Sequence, residues 1–186
     1  MFGIFPQKIS VMNVIAPPIN FWKWIEENKE FLKPPVNNRV VYKDTEFIIM
    51  VVGGPNSRKD YHYNEGEEFF YQLKGDIVVK IQENGQAREV PIREGEIFLL
   101  PPRIPHNPIR FKDTIGLVIE RKRRPEEKDG LLWFCEKCNH KLYEEYFALT
   151  DITKQFQKVF EKFYNSIELR TCKNCGAVLE PPPVIA

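Results

Sequence analysis

Between residues 38 and 121 the chain is a succession of short apolar runs, each too brief for a helix and each closed by a turn signal. The runs RVVY, EFIIMVV, EFFYQL, DIVVKI, EIFLL and GLVIE are rich in β-branched and aromatic residues. Between them stand Gly53-Gly54-Pro55, Gly75-Asp76, Asn84-Gly85, Glu94-Gly95 and the proline-rich segment 101–108. Strands recurring at this spacing bury one face by folding into an antiparallel barrel or sandwich. Asn84-Gly85 suits a two-residue hairpin, because both positions tolerate positive φ. Fifteen prolines in 186 residues leave little room for long uninterrupted helices.

Two stretches depart from this texture. In NFWKWIEENKEFLKPP the residues Phe21, Trp24, Ile25, Phe31 and Leu32 fall at near-helical spacing, with Asn20 as N-cap and Pro34-Pro35 as the stop. Further on, Ile152, Phe156, Val159, Phe160, Phe163, Tyr164 and Ile167 make one apolar stripe behind a capping Asp151. Such a stripe packs on a core or on a partner. Between barrel and stripe lies RKRRPEEKDG. Its basic run is followed at once by acidic residues, which reads as a solvated connector and not as a phosphate-binding patch. The expected organisation is an extension over 1–19, a β domain over 20–121, a charged linker over 122–130 and a C-terminal lobe over 131–186. Leu131–Phe134 and Leu142–Phe147 are expected as short strands of that lobe.

Charge and hydropathy exclude several classes. Twenty-seven basic residues against 26 acidic ones leave a net charge of +1, so bulk attraction to nucleic acid or anionic membrane is not expected. No apolar run approaches the roughly 18 residues that a membrane span needs. MFGIFPQKISVMNVIAPP has neither a basic n-region nor a continuous apolar stretch, so it does not read as a signal peptide. Residues 1–11 read as an upstream extension, with Met12 as an alternative start. A cytoplasmic protein is expected.

The chemistry-bearing residues are few. The histidines are His62, His106 and His140, and the cysteines form two Cys-x-x-Cys pairs, Cys135/Cys138 and Cys172/Cys175. Two histidines and one carboxylate projecting into one barrel make a facial triad. That set suits a non-haem Fe(II) centre with positions left open for exogenous ligands. The two cysteine pairs can supply the halves of a tetrahedral thiolate site for iron or zinc. The 33 residues between Cys138 and Cys172 exceed a compact zinc-ribbon spacing, and the amphipathic stripe occupies much of that gap. His140 is left as a surface residue.

The stretch Gly54…His62-x-Asn64…Glu68…Gly75 resembles the first cupin motif, and Gly95…Pro101…His106…Arg110 resembles the second. Asn64 stands where many cupins carry another metal-binding histidine, Arg103 at a usual glycine and Arg110 at a usual asparagine. The remaining ligand set is His62, Glu68 and His106. Glu67 and Glu68 must point to opposite faces of a strand. Parity leaves open which one faces inward, and the motif selects Glu68.

Over nearly its whole length from Met12, the chain resembles the bacterial-type 3-hydroxyanthranilate 3,4-dioxygenase family. FLKPPVNNR, VVGGPN, RKDYH, EEFFYQLKG, EGEIFLLPP, PHNP, VIER and the two cysteine pairs carry the resemblance. It implies a mainly β, cupin-type antiparallel barrel (a double-stranded β-helix) with an N-terminal helix and a small C-terminal four-cysteine lobe containing one helix. It implies an extradiol-type cleavage of 3-hydroxyanthranilate by O2 to 2-amino-3-carboxymuconate semialdehyde, which closes to quinolinate, a precursor of NAD in the kynurenine pathway. It implies Fe(II) on His62, Glu68 and His106, and a rubredoxin-like second metal, iron or zinc, on Cys135, Cys138, Cys172 and Cys175. Arg58 and Arg110 are implied as pocket cations, Arg110 for the substrate carboxylate and Arg58 also for bound oxygen. Glu120 is implied as a partner of substrate polar groups and Asn38 as a residue closing over the substrate. A homodimer is implied as well, with the aromatic face of helix 151–167 as a contributor. The competing readings are another cupin metalloenzyme, such as a thiol dioxygenase or a sugar-phosphate isomerase, and a non-catalytic cupin or zinc-ribbon module.

Overall fold

The computed structural model describes residues 15–34, 37–149 and 152–183. Helix α1 (Phe21–Glu27) begins at Asn20, whose side-chain oxygen accepts from the Lys23 amide at 3.0 Å. It is shorter than the apolar spacing implies. Asn28 turns its amide back on the Trp24 carbonyl at 2.6 Å, and a 3-10 turn (Lys29–Leu32) completes the segment. Ile25 and Leu32 are buried there over Val51.

The apolar runs form strands where expected: β1 (Asn38–Val40), β2 (Phe47–Gly53), β4 (Glu68–Lys74), β5 (Ile77–Glu83), β7 (Ile97–Leu100) and β9 (Ile115–Arg121). Asn84 and Gly85, at φ 52 and 77°, make the two-residue turn into β6 (Gln86–Ile92). Three strands lie outside the apolar runs: β6, β3 (Tyr61–Tyr63) and β8 (His106–Arg110). Pro91 is tolerated because β6 is an edge strand. Pro108 is tolerated in β8 because the pairing with β3 is confined to His62 opposite His106, so no partner asks for the missing N–H. The strands make two antiparallel sheets, ordered β1-β2-β9-β4-β7 and β11-β10-β3-β8-β5-β6, where β10 is Asp129–Phe134 and β11 is Lys141–Phe147. Phe70, Leu100 and Val118 from the first sheet meet Ile77, Val79, Ile81 and Ile92 from the second in the main core.

The second sheet runs without a break into the C-terminal segment, because β10 pairs with β3 on one side and β11 on the other. Residues 122–130 are therefore not a solvated connector throughout. Asp129 is 0% exposed, Glu127 is buried, and Arg123 is held between two carboxylates. Charges this deep persist only when paired, and each of these is.

Helix α2 (Ile152–Tyr164) lays Phe156, Val159 and Phe163 on Leu131, Trp133 and Leu179. Phe163 stacks on Trp133 with centroids 4.2 Å apart. Phe156, Val159 and Phe163 of the stripe thus belong to an intrachain core, whereas Ile167 is exposed; deleting such a buried aromatic typically costs about 3–5 kcal/mol. Asp151, expected as the cap, lies outside the described residues. A second short helix, α3 (Ile167–Arg170), follows, so the lobe holds two helices where one was expected; Ser166 caps α3. Among the described residues no helix is long and apolar enough to cross a membrane.

Candidate active site

His62 from β3, Glu68 from the start of β4 and His106 from the start of β8 meet between the sheets, with one ligand atom from each lying within 4.8 Å of the others. Glu68 reaches His62 Nδ1 at 3.5 Å through one oxygen and His106 Nε2 at 3.2 Å through the other. Neighbouring ligand atoms around a cation bound at about 2.0–2.2 Å lie about 3 Å apart, so a small adjustment accommodates a metal. Glu67 is exposed and Glu68 buried. Burial works against the Glu68 charge, but the two imidazoles outweigh it and hold the carboxyl well below the usual range. Burial likewise opposes a charged His62, yet hydrogen bonds with Asp129 and Glu68 push it up to about 9. A buried carboxylate flanked by two imidazoles is a donor set that a divalent cation satisfies.

Each imidazole has its other nitrogen engaged. His106 Nδ1 donates to the Ile104 carbonyl at 2.9 Å, and His62 Nε2 donates to Asp129 at 2.7 Å. Arg123 grips the same carboxylate through Nε at 2.9 Å and Nη2 at 2.7 Å, and its Nη1 lies 2.8 Å from Glu120. Asn64 closes the ring of contacts, donating to Glu120 at 2.9 Å and lying 3.4 Å from Glu68. Asp129 and Arg123 were missed from sequence. They sit in a stretch with the composition of a linker, and no local spacing ties them to His62.

Glu120 stands directly opposite Glu68 across β4 and β9. Burial and the Glu68 charge push its carboxyl up, against the pull of Arg123. Arg110, at the end of β8, is buried, and its Nη1 has no hydrogen-bond partner; burial pulls the guanidinium down to about 10. A buried, unanswered guanidinium N–H is a waiting contact for an anionic group. The slot exists because residue 116 is glycine: a Cβ there would fall 2.7 Å from both Arg110 Nη1 and Gln72 Oε1. Arg58 is engaged by another carboxylate. Its guanidinium pairs with the buried Asp60 and lies 5.8 Å from the ring centroids of Phe156 and Phe160 on α2. Phe156 in turn packs 5.5 Å from His62. Asn38 is exposed at the start of the edge strand β1, opposite Val52.

The four cysteines also converge, with Cys135 and Cys175 sulfurs 3.6 Å apart and Cys138 and Cys172 likewise. These gaps are far too long for disulfides and close to the roughly 3.8 Å edge of a tetrahedron with metal–sulfur bonds near 2.3 Å. The two knuckles repeat one backbone pattern. Cys135 and Cys172 donate to the carbonyls five residues on (His140, Ala177) and accept from the amides four residues on (Asn139, Gly176), both left-handed. Asn174 and the His140 amide pull the Cys138 thiol down to about 6. Asn139 and Gln82 exchange amide hydrogen bonds at 2.8 and 3.0 Å, tying the first knuckle to the barrel. His140 is exposed, as expected.

Two facing antiparallel sheets with a buried His/Glu/His cluster between them define a β-barrel protein with a candidate metal site. The chain belongs to the 3-hydroxyanthranilic acid dioxygenase family, whose profile matches residues 12–164. It is 57% identical over 170 residues to the 3-hydroxyanthranilate 3,4-dioxygenase of Xanthomonas euvesicatoria pv. vesicatoria (strain 85-10), covering 91% of this chain and 96% of that one. It is 48% identical over 169 residues to the protein of the same name from Bacillus cereus (strain ATCC 10987 / NRS 248), covering 90% and 94%. Among solved structures, a cupin-2 domain protein from Shewanella frigidimarina aligns with a TM-score of 0.45 at 15% identity, over 56% of this chain and 94% of that one.

Proposed function

We propose that this chain is a ring-cleaving dioxygenase of 3-hydroxyanthranilate, with ferrous iron held by His62 Nδ1, Glu68 and His106 Nε2. Three protein ligands leave room for a chelating substrate and O2. Iron there would supply the electron density that lets an aromatic ring and dioxygen combine. The product is 2-amino-3-carboxymuconate semialdehyde, the precursor of quinolinate in NAD synthesis.

The chain's own residues bind and orient. Arg110 offers its unpaired Nη1 to the substrate carboxylate, and the planar fork favours that group. Glu120, whose carboxyl is pushed up by burial and by Glu68, accepts and holds a proton from the substrate's phenol or amine in this reading. Asn64 bridges Glu120 and Glu68 by donating to both. Arg58 reaches the substrate or O2 by leaving Asp60, and Asn38 closes over the pocket from β1. The four cysteines hold a second metal, iron or zinc, in a structural role.

The observation that carries the reading is the coincidence of the buried His/Glu/His cluster with an unanswered buried arginine. The chain acts as a homodimer in this reading. Phe47, Ile97 and Leu99 are exposed on the outer face of the first sheet and offer an apolar surface for that contact. The test is anaerobic iron loading followed by mixing with 3-hydroxyanthranilate and O2. The near-ultraviolet band of the semialdehyde should appear, and its absence from iron-replete protein would overturn the assignment.

A further inference from the structure

We infer that Asp129 is a positioning residue for the metal ligand His62, and that Arg123 couples this contact to Glu120. This rests on the metal reading above. The two histidines of the cluster present opposite nitrogens. His106 is turned by a backbone carbonyl two residues away, so its orientation is set as soon as β8 forms. His62 is turned by a carboxylate 67 positions along the chain, so Nδ1 faces Glu68 only once β10 has docked on β3. Asp129 is in turn fixed by the Arg123 fork, with 2.9 and 2.7 Å contacts to its two oxygens. The remaining nitrogen of that fork reaches Glu120 at 2.8 Å. One arginine therefore joins the carboxylate behind the metal ligand to the carboxylate facing the substrate.

The geometry separates this role from simple anchoring of the chain. An anchor needs only the Arg123–Asp129 pair, whereas here the carboxylate shares itself with an imidazole whose other nitrogen faces the cluster. Carboxylates behind metal-bound histidines fix the tautomer and the ring direction, and their loss typically weakens metal binding about 10–100-fold. The C-terminal segment thus completes the metal site even though none of its own residues is a ligand there.

Cobalt(II) binding to the metal-free full-length protein tests the inference. The His/Glu/His site reports through d–d bands, and the cysteine site reports separately through thiolate charge transfer. Asp129→Asn should weaken cobalt binding at the histidine site about 10–100-fold and shift its d–d bands, with cysteine-site binding unchanged. Arg123→Lys keeps a cation but loses the fork, so cobalt affinity at the histidine site should fall several-fold in the same sense while KM for substrate rises; unchanged values for both would overturn the coupling through Arg123. If Asp129→Asn does not fold, Asp129→Glu serves; its displaced carboxylate should weaken and shift the cobalt site in the same sense. Folded Asp129 variants with unchanged affinity and spectrum would overturn the inference and leave Asp129 an anchor. His62→Ala is the separate control: unaltered cobalt binding there would overturn the metal reading itself.

Discussion

His62 and His106 face one another where β3 meets β8, the register pair that joins those two strands, with ring centroids 5.4 Å apart. The contact sits beside Glu68, which pairs with Glu120 within the first sheet, whereas both histidines come from the second, so each sheet supplies part of one buried polar cluster. A three-residue strand suffices for β3 because its task is to bring one imidazole into register.

From that arrangement, His62→Ala, Glu68→Ala and His106→Ala should each lose the catalytic metal and ring cleavage, since a three-ligand site has no spare protein donor. Glu67→Gln is the matched control and should retain both, because Glu67 is exposed. Metal analysis beside turnover decides the matter. Stoichiometric histidine-site iron with full activity in any of the three alanine variants would remove that residue from the set.

Arg110→Ala should lose affinity for the substrate carboxylate. A charge-assisted contact contributes about 1.5–3 kcal/mol, which is about one to two decades in binding. Arg110→Lys should recover only part, because an ammonium lacks the planar fork. The comparison is with 2-aminophenol, which has no carboxylate; an equal loss for both compounds would place the contact elsewhere.

Gly116→Ala should act on the same contact indirectly. Its new methyl would come 2.7 Å from Arg110 Nη1 and Gln72 Oε1, and the guanidinium must yield. KM for 3-hydroxyanthranilate should rise while that for 2-aminophenol changes little. Equal shifts for both would point to general damage to β9.

Most of the barrel was legible because its strands are apolar runs with turn residues at their ends. The cysteine lobe was legible too, since its four thiols come as two like-spaced pairs. The strands that carry both histidines were not. β3 is too short to show a period, and β8 contains Pro108, which sequence reasoning assigns to a turn. Glu67 and Glu68 could not be separated by parity, because the inner face is chosen by flanking strands β7 and β9, remote in sequence. The stretch 121–130 has the composition of a solvated linker. The inward placement of Arg123 and Asp129 within it depends on Glu120 and His62, which no local pattern could supply.

Cys172→Ser should remove the metal of the cysteine site and lower thermal stability, since metal binding in such knuckles is coupled to folding. Knuckle, β10 and α2 form one packed unit, and Phe156 of α2 lies against His62. Freshly iron-loaded variant should still open the ring. Loss of turnover with histidine-site iron fully retained would show that the second metal takes part in the reaction.

The most direct test of the account is oxygen uptake by iron-loaded protein given a limiting amount of 3-hydroxyanthranilate. Uptake should stop at one O2 per ring opened, without peroxide and with the semialdehyde band rising in step. His106→Ala carrying only cysteine-site metal should take up none. No uptake by iron-replete wild type, or undiminished uptake by His106→Ala without iron at the histidine site, would contradict ring cleavage at His62, Glu68 and His106.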